Sequence, residues 1–292
     1  MITVIGSLNI DFVVSVDRRP NIGETIMSNS LDILYGGKGG NQAVAAAKLG
    51  KKVSFVGAIG NDLYGDNYIE ELKKYDINTD CIFVKTDETT GIAMVAIEKK
   101  DNSIIYTQGA NGQLNIRDIE VAKDIIKKSA VILVQLEVNN DVVEKVIELA
   151  SRYHIPVILN PAPYKHFPIE WLEKISYITP NKQEYESIVS NDNFNDKYIN
   201  KFIITLGKQG VVYYKNNIQH KIAAPKVEVV DTTGAGDTFN GVFAYYLSIN
   251  TPLKIACEKA TYAASYSTTK IGAQFGMPSE KELKKFIKHF SD

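Results

Sequence analysis

Apolar segments of strand length alternate with longer helical patterns along most of the chain. The strand-like segments cover residues 53–59, 130–136, 156–159, 175–178 and 202–206. Continuous apolar runs of this length are typical of strands buried on both faces, and intervening helices are the connections that parallel strands need. The pattern therefore predicts an α/β fold with a mainly parallel central sheet that is covered by helices on both faces.

The helical periodicity fills the spaces between these segments and continues to the end of the chain. It covers residues 41–49, 65–75, 116–128, 141–153, 182–189, 237–248, 252–269 and 280–290. Gly50 follows the first of these helices as a C-terminal cap.

Two stretches interrupt the alternation. Residues 12–34 and 89–107 are rich in alternating strand-like segments with no helix between them. They predict a small separate sheet, placed as a lid over the carboxyl ends of the parallel strands, where open α/β sheets bind ligands. Edge strands of the main sheet are the alternative. Because the sequence contains no repeat or linker, residues 1–292 are predicted to form one domain with these two lid segments.

Charge and cysteine content exclude several classes of function. The 33 basic and 34 acidic residues give a net charge of -1, so nothing favours nucleic acid or an anionic membrane as partner. Cys81 and Cys257 form no Cys-x-x-Cys pair, which argues against a disulfide scaffold or a zinc site. Neither a secretion signal nor an apolar run of membrane-spanning length is present. The sequence predicts a cytoplasmic protein with a small ligand.

Residues 231–241 (DTTGAGDTFNG) place a turn of small residues where a helix begins. Gly234, Ala235 and Gly236 let the backbone approach a ligand, and the N–H groups of the first helical turn point at it. Together with the positive end of the helix dipole, these donors suit a phosphoryl group that gains negative charge as it moves. The turn predicts a phosphate-transfer site.

Asp237 is the exception in this turn, because a carboxylate repels a phosphate that it touches directly. It is interpreted as the base for an attacking hydroxyl. The alternative is an ordinary acidic residue that complements the helix dipole. The additional oxygen ligands of Asp231 and its two threonines, and the apolar helix that follows, favour the functional interpretation.

Residues 36–41 (GGKGGN) form a second glycine cluster before a helix of small residues. A Walker A loop is excluded because no hydroxyl residue follows Lys38. The functional hypothesis is a backbone-lined pocket in which Gly37, Lys38 and Asn41 bind a polyhydroxylated ligand; the alternative is a tight turn. A dinucleotide-binding dehydrogenase is disfavoured because no Gly-x-Gly-x-x-Gly follows the first strand.

Polar residues also stand at the ends of predicted strands. Asn9 and Asp11 lie two residues apart, hence on one face of an extended segment, where they can contact sugar hydroxyls. Glu137 ends a strongly apolar strand at the edge where parallel sheets hold ligands. Asn181 and Glu184 share a helix face and can hold water on a magnesium ion. Helix capping by Asn181 is the competing explanation.

The chain resembles the ribokinase-like (PfkB) family of carbohydrate kinases over essentially its whole length. The resemblance rests on residues 6–11 (GSLNID), 36–50, 109–111 (GAN), 135–137 (QLE), 159–163 (LNPAP), 179–184 (TPNKQE), 205–210 (TLGKQG) and 231–241. It implies a three-layer α/β/α body with a β-sheet lid, commonly a homodimer through the lids. It also implies phosphorylation of the primary hydroxyl of ribose by ATP, with magnesium and potassium as cofactors.

The resemblance assigns roles to individual residues. Sugar binding falls to Asn9, Asp11, Gly37, Lys38, Gly39, Gly40, Asn41 and Glu137. Asp237 is the base, and Gly234, Ala235 and Gly236 form the anion hole. ATP lies along Asn181, Thr205, Leu206, Gly207, Lys208, Gln209, Gly210, Gly236 and Thr261. Glu184 serves magnesium through water, and potassium lies on Asp231, Thr233, Ser267, Gly272 and Gly276.

Two positions depart from the family pattern. Gly276 stands where a serine is frequent near the potassium site, and Thr261 stands where an asparagine or histidine is frequent near the adenine. The substrate alternatives are 2-deoxyribose, fructose or a nucleoside, although Glu137 and Asn41 favour a compact, polar pentose site. A sugar or nucleotide sensor without turnover is the alternative from another functional class.

Overall fold

A central sheet of six parallel strands organises the molecule in the computed structural model, which describes residues 1–98 and 101–290. The strands of the described chain are β1 (Ile2–Ile5), β2 (Asn9–Ser15), β3 (Ser30–Gly36), β4 (Val53–Gly60), β5 (Ile77–Lys85), β6 (Gly91–Glu98), β7 (Asp101–Thr107), β8 (Val131–Gln135), β9 (Val157–Asn160), β10 (Tyr177–Ile178), β11 (Ile203–Thr205), β12 (Val211–Lys215) and β13 (Ile218–Ile222). The sheet order is β10-β9-β8-β1-β4-β5, so the first strand lies near the middle.

Helices cover both faces of this sheet. They are α1 (Lys38–Ala47), α2 (Leu63–Lys74), α3 (Ile116–Val121), α4 (Lys123–Lys127), α5 (Asn140–Arg152), α6 (Trp171–Lys174), α7 (Lys182–Val189), α8 (Ala235–Ser248), α9 (Leu253–Ser267), α10 (Ala273–Gly276) and α11 (Glu280–His289). Short 3₁₀ turns occupy Gly109–Gln113, Asp196–Lys201 and Gly207–Gln209.

Alternation along the buried strands produces two cores. In β8, Ile132 and Val134 pack into the core on the α5 side, whereas Val131 and Leu133 pack into the core on the α1 and α8 side. Because successive strand residues point to opposite faces, a strand with helices on both sides must be apolar throughout. The prediction of a three-layer α/β/α fold with a mainly parallel sheet is confirmed.

Three element predictions differ from the structure. Residues 202–206 are predicted to lie beside the other parallel strands, and parallel bridges do join Phe202 to Ile178 and Thr205 to Asn181, but the continuous pairing of β11 is antiparallel, with β12 in a three-stranded sheet. The apolar run thus predicts the direction of β11 relative to the central sheet but not its pairing with β12. The helix predicted at 116–128 is divided at Ala122 into α3 and α4. The helix predicted at 41–49 begins earlier, at Lys38, because Gly37 at φ 82° provides its start.

A second sheet of four strands stands apart from the central one, in the order β3-β2-β6-β7. Strand β2 pairs antiparallel with β3 and parallel with β6, and only residues 6–8 separate it from β1. Residues 12–34 and 89–107 contribute to this sheet, which also includes the earlier residues Asn9 and Asp11. The sheet therefore begins directly at the carboxyl end of the central strand.

None of the helices in residues 1–98 and 101–290 combines the length and the apolar character needed to cross a lipid bilayer.

Candidate active site

Helices α1 and α8 lie in contact, and Gly241 permits their approach. A Cβ on Gly241 would lie 2.4 Å from the main-chain oxygen of Gln42 and 2.6 Å from Cβ of Ala45. The contact is therefore made by backbone, and it sets the first turns of both helices side by side. Asp237 in one turn faces Asn41 and Gln42 in the other.

Asp237 is buried, with 8% of its surface exposed, and both of its carboxylate oxygens accept hydrogen bonds. Asn41 Nδ2 donates to Oδ2 at 3.0 Å, and Gln42 Nε2 donates to Oδ1 at 2.9 Å. Burial raises the pKa of Asp237, against the opposing effects of the Lys38 ammonium and the two amides. The two hydrogen bonds thus fix the carboxylate in one orientation at the N-terminus of α8.

The first turn of α8 contains two backbone N–H donors that have no acceptor in the described part of the chain. Gly234 has φ 74°, and a Cβ there would lie 2.8 Å from Cα of Ala273, so both conformation and space require glycine. The N–H of Ala235 bonds to the Thr232 oxygen at 3.2 Å, but those of Gly236 and Asp237 have no acceptor among the described residues. Gly236 is exposed. These donors, at the positive end of a helix, suit an anion.

Glu137 and Lys38 meet on the other side of Asp237. The main-chain N–H of Lys38 donates to Glu137 Oε2 at 3.0 Å, and the Ser7 hydroxyl donates to the same oxygen. Burial raises the pKa of Glu137, although Lys38 opposes that shift. For Lys38, burial lowers the pKa, but the charges of Asp237 and Glu137 outweigh it and the net shift is upward. The nearby carboxylates therefore favour the charged form of Lys38.

Asn9 and Asp11 reach this cluster from the second sheet. Asn111 Nδ2 donates to Asn9 Oδ1 at 2.8 Å, while Asn111 Oδ1 accepts from the Leu8 N–H at 2.9 Å, which fixes the start of β2. The carboxylate of Asp11 packs so closely on Gly36 that a Cβ there would lie 2.2 Å from it. Burial, followed by the charges of Glu137 and Asp237, raises the pKa of Asp11 to about 7, with Lys38 opposing.

Ligand affinity is expected to depend on the ionisation of Asp11. Hydroxyls that donate to this carboxylate favour its charged form, so binding of a polyol below pH 7 must release a proton. Affinity should fall as the pH drops through about 7, and Asp11→Asn should flatten that dependence. Calorimetry in buffers of different ionisation enthalpy measures the proton release. Identical enthalpies in all buffers at pH 6 would contradict the prediction.

The raised pKa of Asp11 also affects the stability of the fold, with a pH dependence opposite to that of ligand affinity. The folded protein holds the Asp11 proton up to about pH 7, whereas the unfolded chain loses it near 3.8. This group's contribution is therefore greatest at low pH and is lost as the pH rises through 7. Asp11→Asn should be more stable than the parent chain at pH 8, as chemical denaturation would show.

Gly39 and Gly40 are buried packing positions in the first turn of α1. A Cβ on Gly39 would lie 2.6 Å from the Ser7 nitrogen, and one on Gly40 would lie 2.1 Å from the Tyr68 hydroxyl. Their N–H groups bond to Ser7, at its Oγ and main-chain oxygen respectively. Their contribution to sugar binding remains a prediction.

The predicted nucleotide residues border the carboxyl ends of β10 and β11. Asn181 and Glu184 form a reciprocal capping box at the start of α7: Asn181 Oδ1 accepts from the Glu184 N–H at 2.9 Å, and Glu184 Oε2 accepts from the Asn181 N–H at 2.8 Å. The capping explanation for Asn181 is thus realised. Burial raises the pKa of Glu184. The Thr205 N–H bonds to the Pro180 oxygen at 2.9 Å, which joins both segments.

The loop after β11 presents an exposed rim. Gly207, Lys208 and Gln209 are exposed, and Leu206 is half-buried. Gly210 has φ 93° and packs against the main-chain oxygen of Ile222, so it closes the loop. Thr261 differs from this group because it is buried in α9 and its hydroxyl donates to the Cys257 oxygen at 2.8 Å.

The predicted potassium ligands form one connected cluster. Asp231 Oδ1 accepts from the Thr233 N–H at 2.9 Å, and Oδ2 accepts from the Gly272 N–H at 2.8 Å. Burial raises the pKa of Asp231, but these hydrogen bonds outweigh it and the net shift is downward. The Gly276 N–H bonds to Gly272, and a Cβ at Gly276 would lie 2.6 Å from the Ser267 oxygen.

Several residues that support the site received no role from the sequence. Ser7, Asn111 and Asn160 lie inside the motifs that carry the family resemblance, but the sequence does not indicate what their side chains contact. Gln42 lies directly after the second glycine cluster and donates to both Asn160 and Asp237. Gln274 follows the predicted potassium residue Gly272. No sequence signal identifies Tyr68, which is fully buried beneath Gly36 and Gly40.

Comparisons with known proteins show which family and which solved structures this chain is similar to. The family described as pfkB family carbohydrate kinase matches residues 1–280. A ribokinase of Bacillus subtilis is 38% identical over 289 residues, which cover 98% of this chain and 99% of that protein. A deoxyribokinase of Salmonella typhi is 34% identical over 300 residues, covering 98% of each. The structure of Arabidopsis thaliana ribokinase complexed with ribose and ATP has a TM-score of 0.89 at 28% identity, again covering 98% of each chain.

Proposed function

The chain belongs to the pfkB family of carbohydrate kinases and is an ATP-dependent sugar kinase, and from this premise we propose that it phosphorylates D-ribose at the primary 5-hydroxyl to give ribose 5-phosphate. The observation that carries the proposal is the placement of Asp237. A buried carboxylate, with both oxygens held by hydrogen bonds, lies at the start of α8 beside two N–H donors for which residues 1–98 and 101–290 provide no acceptor. A base and an anion site are thus adjacent, as a transfer from ATP to a hydroxyl requires.

The reaction is an in-line displacement. The 5-hydroxyl oxygen of the sugar bonds to the γ-phosphorus of ATP, and Asp237 accepts the proton of that hydroxyl. The bond between the γ-phosphorus and the oxygen that bridges it to the β-phosphate breaks, which releases ADP. The N–H groups of Gly236 and Asp237 stabilise the charge on the transferring group. A carboxylate is a weak base towards an alcohol, so positioning and electrostatics contribute more than early proton removal in a loose transition state.

Sugar recognition is assigned to the polar residues around this base. Asn9 and Asp11 approach from the second sheet, while Lys38, Asn41 and Glu137 approach from the body. Carboxylates accept hydrogen bonds from hydroxyls and the lysine donates, so the set is complementary to a small polyol. A nucleoside requires apolar or aromatic cover for its base, and this set offers none.

ATP lies along Asn181, Thr205 and residues 206–210, whose exposed part is residues 207–209, with Gly236 beside its terminal phosphate. No group of three or more His, Cys, Asp or Glu residues within the described ranges could hold a metal ion by itself. That absence fits magnesium, which keeps several waters and binds substrate phosphates. Glu184 Oε1 accepts no hydrogen bond from the described residues, so it can hold one of those waters. Magnesium would neutralise charge on the phosphates.

The Asp231 cluster fits a monovalent cation. It combines one carboxylate with main-chain oxygens of Thr233 and Ser267, and oxygen ligands of this kind suit potassium. The absence of a side chain at Gly276 leaves room for the Ser267 oxygen, which lies 2.6 Å from the position that a Cβ would take. A bound cation would supply positive charge behind the anion hole; Gly272 and Gly276 shape its surroundings.

A panel of sugars and nucleosides, assayed for ADP release with and without potassium, tests the proposal. We expect ribose to give the highest kcat/KM and potassium to raise the rate. Because one relative is named a deoxyribokinase, 2-deoxyribose is the second candidate. A preference for 2-deoxyribose, fructose or a nucleoside would contradict the ribose assignment, and binding without ADP release would instead indicate a sensor.

We also propose that the chain forms a homodimer through its second sheet. On one face, that sheet exposes Leu31 (55%), Ile33 (52%), Met94 (59%) and Ile105 (70%). Neighbouring exposed apolar side chains mark interaction surfaces. Ile105→Lys should shift the mass measured by light scattering from dimer to monomer, whereas the same change at exposed Val121 on α3 should leave it unaltered. A monomeric parent chain would contradict the proposal.

A further inference from the structure

Gln274 lies at the centre of a buried hydrogen-bond chain that ends on the base. Its Nε2 donates to Asn41 Oδ1 at 3.1 Å and to the Tyr68 hydroxyl oxygen at 3.0 Å. Gln274, Asn41 and Tyr68 are 7%, 6% and 0% exposed, so solvent does not replace these partners. Asn41 in turn donates from Nδ2 to Asp237 Oδ2.

The direction of this chain is fixed from its far end. The main-chain oxygen of Gly36 can only accept, so the Tyr68 hydroxyl must donate to it. Tyr68 then has its oxygen lone pairs for Gln274, which must present its nitrogen. Asn41 therefore turns its oxygen to Gln274 and its NH₂ to Asp237. Reversing the Asn41 amide would set its oxygen against the carboxylate.

A matching chain holds the other oxygen of the base. Asn160 Nδ2 donates to the Thr179 main-chain oxygen at 3.1 Å, so Asn160 Oδ1 faces Gln42. Gln42 then presents its nitrogen to both Asn160 and Asp237, and its Oε1 accepts from Gln135 at 2.6 Å. Both carboxylate oxygens of Asp237 are thus met by donors whose orientation a further residue determines.

Helix α10 carries Gln274 and is anchored at both ends. The Gly272 N–H before it bonds to Asp231, and Lys48 Nζ donates to the main-chain oxygens of Gln274 at 2.7 Å and Met277 at 3.0 Å. The Gln274 side chain therefore has little freedom to move away from Asn41.

We propose that Gln274 is a positioning residue for sugar phosphorylation, which fixes the Asn41 amide so that it donates to the base Asp237. The inference rests on the proposed role of Asp237. Gln274 itself touches neither substrate nor the transferring group; it acts through Asn41. Its loss should leave Asn41 free to rotate and Asp237 free to leave its productive orientation.

Gln274→Met keeps the length of the side chain and removes the donor. We expect kcat to fall roughly 10- to 100-fold, since small displacements of reacting groups cost about that much, with KM for ATP nearly unchanged. Because a rotated Asn41 would no longer donate to the charged carboxylate of Asp237, the acidic limb of the kcat–pH profile should move upward by on the order of one pH unit. Lys38, Asp11 and Glu137, which also face Asp237, are unaltered in this variant.

Two further variants complete the design. Gln274→Asn keeps the amide but shortens the side chain by one methylene. It should show a smaller fall in kcat and a smaller shift of the acidic limb, and it keeps the test valid if Gln274→Met folds poorly. Gln113→Met makes the same exchange at an exposed glutamine far from the base and should match the parent chain.

Unchanged kcat in both Gln274 variants, or a lower kcat without a shift of the acidic limb, would overturn the inference. Each ratio is taken with whichever sugar the parent chain turns over. A wrong assignment of ribose would appear in the parent chain alone, and so remains distinguishable from failure of the Gln274 role.

Discussion

Asp237→Asn should bind sugar and nucleotide nearly as well as the parent chain while losing about 10²- to 10⁴-fold in kcat, the usual effect of removing a positioned base. The amide has almost the size of the carboxylate but cannot accept a proton. The NH₂ group of the new asparagine must also face the NH₂ group of Asn41 or of Gln42, each of which donates a hydrogen bond to the carboxylate in the parent chain. Steady-state kinetics with ADP detection measures the loss, and calorimetry measures the retained binding.

Asp66→Asn is the matched control for this variant. Asp66 also lies in the first turn of a helix, α2, but it is exposed. If Asp237 served only to complement the dipole of α8, both variants would lose a few tenths of a kcal/mol to about 1 kcal/mol of stability and keep their rates. A normal kcat in Asp237→Asn would remove this residue from the role of base.

Gly241→Ala should impair both folding and rate. The added Cβ would lie 2.4 Å from the main-chain oxygen of Gln42, and a backbone atom cannot rotate away as a side chain can. Helices α1 and α8 must then separate, at a cost of about 1–3 kcal/mol in the free energy of unfolding. Because the separation draws Asn41 and Gln42 away from Asp237, kcat should also fall about 10²-fold.

Gly112→Ala provides the comparison. The nearest atoms to a Cβ there belong to the flexible Gln108 side chain, at 3.1 Å. Its unfolding free energy should remain within about 1 kcal/mol of the parent chain, with an unchanged rate. Equal behaviour of the two alanine variants, in chemical denaturation and in kcat, would show that the contact of α1 with α8 does not set the geometry of the base.

The layers of the fold were predictable because burial leaves a local pattern. The apolar run at 130–136 contains β8, and the helix predicted at 182–189 coincides with α7. The antiparallel pairing of β11 with β12 was not predictable, since a short apolar run has the same composition whichever strand it pairs with. Nor does a pattern reveal that Ala122 divides the helix predicted at 116–128, which depends on tertiary packing.

The site was predictable only where one segment carries the chemistry. The turn before α8 displays its glycines and its carboxylate consecutively, so Asp237 could be identified from the sequence. Tyr68 and Gln274 act from segments more than 200 residues apart, and an ordinary tyrosine or glutamine carries no mark of its partner. Their roles follow only from the distances that folding creates.

The division of the sugar residues between two sheets has a mechanical consequence. Asn9 and Asp11 belong to the four-stranded sheet, whereas Lys38, Glu137 and Asp237 belong to the layered body. Any tilt of one part against the other pulls the two halves of the pocket apart. A polyol that forms hydrogen bonds with both halves would hold them together. Substrate binding and the exclusion of water from the pocket would then occur in one step. Water would then be excluded from the base and the anion site whenever the sugar is bound.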